Sequence, residues 1–121
     1  MKRIGFITTN KVFAQSLAAA CRGRPDWEAE LHPLLDPGQA ALDADILRLD
    51  AAVVDVADGI PMEKAEAFCL SLRGAAGCRI VLLVPKAAHG MAIRAVKNNA
   101  ADDFVFYDTS LDYLFTKLAA I

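Results

Sequence analysis

No apolar stretch of the 121-residue sequence approaches the roughly 20 residues that a membrane-crossing helix requires, although 55% of the residues are hydrophobic. The expectation is a soluble globular domain. The start, Met1 to Thr9, is basic, but its apolar part is too short for a secretory signal, which places the protein in a cytoplasm. Cysteine is scarce and odd in number: Cys21, Cys69 and Cys78 share no ligand-like spacing, so neither a disulfide framework nor a zinc site is indicated, and free thiols are expected. There is no internal repeat, low-complexity tract or linker. A net charge of −2 removes any general electrostatic reason to bind nucleic acid or an acidic membrane. The length fits one domain, residues 1–121, with a proper core but no room for a second module.

What the chain does have is a short apolar run ending in a carboxylate, Asp50-Ala51-Ala52-Val53-Val54-Asp55, followed by the turn residues Asp58-Gly59-Ile60-Pro61. Uniform small and branched residues without polar alternation read as a strand buried on both faces of a parallel sheet, with Asp55 at its carboxyl end. Ligands of open parallel sheets bind at that edge.

The remaining segments alternate. Ile4 to Ile7 reads as a first strand, and Thr8-Thr9-Asn10 can end it and cap a helix whose inner face is Phe13, Leu17, Ala20 and Cys21. Gly23 and Pro25 stop that helix. Trp27 to Leu34 alternates apolar with charged residues before and around Pro33, as an edge strand would. Asp36-Pro37 then opens a second helix carrying Leu42, Ile46 and Leu49. Pro61 starts a third helix, with Ala65, Phe68, Cys69 and Leu72 inward and Gly74 at its end. Cys78 to Val84 is a second uniformly apolar strand, stopped by Pro85. A fourth helix over about Ala87 to Asn98 turns Met91, Ala92, Ala95 and Val96 inward and Arg94 and Lys97 outward. Asp103 to Tyr107 is a short aromatic strand. Thr109 and Asp112 have capping-box spacing ahead of a last helix with a buried stripe of Leu111, Leu114, Phe115 and Leu118. Five strand-helix units specify an α/β fold, a parallel sheet covered by helices on both faces.

With five such units and Asp55 closing the third strand, the chain resembles a response-regulator receiver (CheY-like) domain along essentially its whole length. Ala100-Ala101-Asp102-Asp103-Phe104 is similar to that family's Gly-Ala-Asp-Asp-Tyr run before the fifth strand. The resemblance implies a flavodoxin-like (βα)5 fold with sheet order 2-1-3-4-5, and so Cys21 and Cys69 on opposite sides of the sheet. It also implies a chemistry: phosphoryl transfer from a partner histidine onto the third-strand Asp, here Asp55. That chemistry uses a metal held by an acidic pair after the first strand, a Ser or Thr after the fourth and a Lys after the fifth.

The chemical positions of the family do not match. The acidic pair falls on Thr8 and Thr9, the hydroxyl position on Pro85 and the Lys position on Tyr107, followed by Asp108. A lone carboxylate with two hydroxyls is a poor Mg2+ site, because magnesium gives up its waters reluctantly. No cofactor is therefore expected. Asp55 reads best as a strand-end carboxylate accepting hydrogen bonds from turn amides or from Thr8 and Thr9. Asp58 and Lys86 read as loop residues. Thr8 to Asn10 at a helix start could cradle an anion, but capping is the simpler role. Phe104 falls on the family's switch-aromatic position and reads as core, while His32 and His89 have no catalytic partner by spacing.

Arg94, Lys97, Asp102, Asp103, Asp108, Asp112 and Lys117 are expected on the face of the fourth helix, fifth strand and fifth helix. In the family this face makes dimers and contacts output domains. The expected function is an atypical receiver, without enzymatic activity, acting in signal transduction through a protein partner, a fused output domain or a homodimer, and without phosphorylation. Such domains often stand at the amino terminus of a longer regulator. Two other readings stay open: a receiver still phosphorylated at Asp55 with displaced metal ligands, and a small flavodoxin-like flavin or anion binder.

Overall fold

A computed structural model of the chain describes residues 2–8, 11–24, 27–32, 48–56, 62–107 and 110–120. Five strands, β1 (Lys2–Ile7), β2 (Trp27–His32), β3 (Ala51–Asp55), β4 (Arg79–Val84) and β5 (Asp103–Phe106), form one parallel sheet in the order β2-β1-β3-β4-β5. Four helices are described: α1 (Lys11–Arg22), α2 (Met62–Ala76), α3 (His89–Lys97) and α4 (Leu111–Ala120), with a single 3-10 turn (Lys86–Ala88) ahead of α3. The expected second helix, at 36–49, falls mostly outside the described residues. The expected third, fourth and fifth helices are α2, α3 and α4. This is the flavodoxin-like receiver fold.

Successive strand residues point to opposite faces, and the sheet sorts its side chains on that period. Ile4, Phe6, Ala51, Val53, Val81, Leu83 and Val105 pack with Leu17 and Cys21 of α1 and Leu114, Phe115 and Leu118 of α4. Ile7, Ala52, Val54, Ile80, Leu82 and Val84 pack with Ala65, Phe68, Cys69 and Leu72 of α2 and Ala92 and Ala95 of α3. Cys21 and Cys69 therefore lie on opposite sides of the sheet. Every residue of β3 is buried, which is why its sequence lacks alternation. Burial pushes the Cys69 and Cys78 thiols up to about 12 and about 11, keeping both protonated and unreactive.

Three local expectations are corrected. Gly74 does not end the third helix: α2 runs to Ala76, and Gly77 takes the left-handed turn at φ 66° while its N–H bonds Arg73 O at 2.9 Å. The positive φ is needed after two good helix formers, Ala75 and Ala76, have extended the helix past Gly74. Met91 is 46% exposed rather than inward, because the buried stripe runs through Ala88, Ala92 and Ala95 and leaves Met91 on the outer side. The last helix is capped by Ser110, whose hydroxyl accepts the Tyr113 N–H at 3.2 Å. That puts Asp112 in the first turn, and Thr109 lies outside the described residues.

The expected end of the fourth helix at Asn98-Asn99 is present as a Schellman motif. Asn99 sits at φ 62°, its N–H bonds Val96 O at 3.1 Å, and the Ala100 N–H reaches Ala95 O at 2.9 Å.

Candidate functional site

Asp55 stands at the carboxyl edge of the central strand, with only 4% of its surface exposed. Its neighbour β1 ends one residue before Thr8, whose hydroxyl donates to Asp55 Oδ2 at 2.5 Å. β5 is two strands away, roughly 10 Å at the usual spacing, so only a long side chain can cross to Asp55 from there. Tyr107 does so: its hydroxyl donates to Asp55 Oδ1. The Tyr107 N–H bonds Val84 O at 3.2 Å, carrying the β4–β5 ladder one step past the strand end and fixing where the ring starts. Between them Pro85 is half-buried at the end of β4 and contributes neither hydroxyl nor N–H to the site.

Each Asp55 oxygen thus accepts one hydroxyl hydrogen. Burial pushes the Asp55 carboxyl above its ordinary pKa, and the Thr8 hydrogen bond partly opposes that shift. The magnesium ion that a receiver fold implies does not fit these residues. Thr8 is neutral, and among the described residues no group of three or more His, Cys, Asp or Glu is placed to hold a metal ion. Thr9, Asn10, Asp58 and Asp108 lie outside the described residues.

The Phe104 ring is half-buried beside α3, making an edge contact with Phe106 at 5.7 Å, and His89 lies 5.8 Å from both rings. His32 ends β2 at the sheet's other edge. The charged residues expected on one outer face divide into groups. Arg94 and Lys97 are exposed on α3, and Lys117 of α4 pairs with Asp103 of β5 at 2.6 Å.

Asp102 turns inward instead. Its Oδ1 pairs with Arg73 at 2.9 Å, its Oδ2 accepts the Ile80 N–H at 2.7 Å, and its own N–H bonds Ile80 O at 2.8 Å. Its side chain is 13% exposed, so it joins α2 to the start of β4 and offers little to a partner. Asp112 pairs with Arg24 at 2.9 Å, and Arg24 lies over the Phe115 ring at 4.2 Å, which directs Asp112 towards the end of α1 and away from β5.

Tyr107 is the residue whose contact sequence reasoning missed. A signal existed: once the strand order is fixed, Tyr107 and Asp55 share the carboxyl edge, and a phenol has both the length and the donor that a buried carboxylate needs.

No protein-family model and no curated protein matches the chain. Solved structures do match in fold. The response-regulator domain of Thermotoga maritima CheB aligns with TM-score 0.79 at 18% identity, over 99% of this chain and 95% of that one. Vibrio cholerae chemotaxis protein CheY4 aligns with TM-score 0.78 at 16% identity, over 100% of this chain and 98% of that one. A structure described as an adenylate cyclase from Rhodopirellula baltica aligns with TM-score 0.81 at 13% identity, over 98% and 85%. By strand order, by helix placement and by these superpositions, the chain has the fold of the CheY-like response-regulator receiver domains.

Proposed function

We propose that this domain is an atypical receiver in signal transduction, non-enzymatic, that works through protein contact and does not use Asp55 as a phosphoacceptor. The observation that supports this reading is the closure of Asp55 by the Thr8 and Tyr107 hydroxyls. A phosphoryl group arriving at Asp55 brings several negative oxygens against a buried carboxylate. Catalysis of that transfer rests on cations or preorganised donors aimed at the phosphoryl oxygens. Here the two donors point at the acceptor itself.

With that chemistry closed, the outer face of α3, β5 and α4 is the surface we assign to partner contact. It presents Arg94 and Lys97, the Asp103–Lys117 pair and Tyr113, which is 49% exposed. The occupant in this reading is a protein, either a partner, an output domain or a second copy. No helix among the described residues is long and apolar enough to cross a membrane.

Backbone amide spectra recorded with magnesium and beryllofluoride, a phosphoryl mimic, test the proposal. No saturable shift is expected around Asp55, Phe104 and Tyr107. Saturable shifts that disappear in Asp55→Asn would establish a working acceptor and refute the reading.

A further inference from the structure

We propose that Asp55, Thr8 and Tyr107 form a proton-operated latch, in which the ionised carboxylate holds the Tyr107 hydroxyl and so fixes the end of β5, and protonation of Asp55 releases it. The inference rests on reading Asp55 as an unphosphorylated carboxylate.

An ionised carboxylate only accepts, and both Asp55 oxygens do so, one from each hydroxyl. Both bonds are charge-assisted, roughly twice as strong as neutral ones. A proton added to Asp55 makes one oxygen a donor and a poorer acceptor, which favours reversal or departure of the hydroxyl facing it, and the bond that remains loses its charge assistance.

Position decides which one leaves. Thr8 is 6% exposed and sits directly after the inner strand β1. Tyr107 is 38% exposed and follows the edge strand β5, so its hydroxyl can exchange Asp55 for water. The residue before it, Phe106, is part of the ring cluster with Phe104 and His89. Release of Tyr107 is therefore felt on the outer side of α3 and β5.

Among the described residues, the groups that face Asp55 come from three strands. β1 supplies Thr8, β5 leads to Tyr107, and β4 sets the apolar Leu83 beside Asp55 in register. Beyond these, Lys86 opens the 3-10 turn after β4, Lys11 opens α1 and His89 opens α3. Asp58 lies outside the described residues. Burial raises the Asp55 pKa and so moves its protonation towards milder acid.

The test is a pH titration of the full chain labelled with carbon-13, following the Asp55 carboxyl carbon, the Tyr107 ring carbon that bears the hydroxyl, and the His89 ring separately. The latch predicts that the Tyr107 carbon shifts with the Asp55 midpoint and that this shift is lost in Asp55→Asn. A Tyr107 signal that stays flat through the Asp55 midpoint, or that moves identically in Asp55→Asn, overturns it. If Asp55→Asn fails to fold, Tyr107→Phe carries the test: removing a donor to the ionised form raises the Asp55 midpoint, and an unchanged midpoint overturns the latch. A flat Tyr107 signal with no beryllofluoride response removes the latch alone. A saturable beryllofluoride response removes the functional reading beneath it.

Discussion

At the scale of single residues, Asp55 combines deep burial with two neutral donors. Its pKa is raised first by burial, with the Thr8 hydrogen bond opposing. Because the folded-state value lies above the unfolded one, the stability Asp55 contributes is fully present below the unfolded pKa and is lost as pH rises through the folded pKa. At neutral pH the ionised side chain is therefore a net cost. Asp55→Asn, which keeps the shape and removes the charge, is expected to unfold at higher denaturant concentration than the parent at pH 7, with the advantage narrowing on acidification. A variant less stable than the parent at pH 7 would contradict that assignment. Thr8 beside Asp55 was legible in the sequence because the expected strand order makes β1 and β3 neighbours. Asp102 was not: a motif charge before β5 looks like surface, and only the three-dimensional approach of Arg73 and the Ile80 amide makes it an internal tie.

At the scale of elements, the strands and helices follow from apolar periodicity, and the errors sit at their ends, where capping and turn geometry decide. Gly74 and Gly77 compete to end α2, and the demand for φ 66° selects the second. Met91 shows a different limit, since a stripe of alanines seats α3 on the sheet and the larger side chain falls outside it. A further constraint is invisible in the sequence. Gly5 of β1 faces the side chain of Leu49, which is 4% exposed, and a Cβ at Gly5 would overlap the Leu49 methyls. Gly5→Ala therefore overpacks the core, with an expected loss of about 1–3 kcal/mol in chemical denaturation. A loss within the error of the measurement would mean that Leu49 moves aside freely.

For the whole molecule, five alternating units specify a parallel sheet covered by helices on both faces, and the resemblance to receiver domains implied the strand order 2-1-3-4-5 that the structure has. That is why the fold was legible while the site was only half so. The strand order brings Thr8, Asp55, Pro85 and Tyr107 to one edge, while the reach of Tyr107 across β4 to Asp55 is set by its side chain. The core is built from apolar faces, and Thr8, Asp55, Pro85 and Tyr107 take no part in its two clusters. In the function proposed above, this edge does not accept a phosphoryl group. The most direct measurement is the intact mass of the full chain after incubation with magnesium and a small-molecule acyl-phosphate donor. The expected result is a mass unchanged by the incubation, in the parent as in Asp55→Asn treated in the same way. A species heavier by one phosphoryl group in the parent and missing in Asp55→Asn would contradict it.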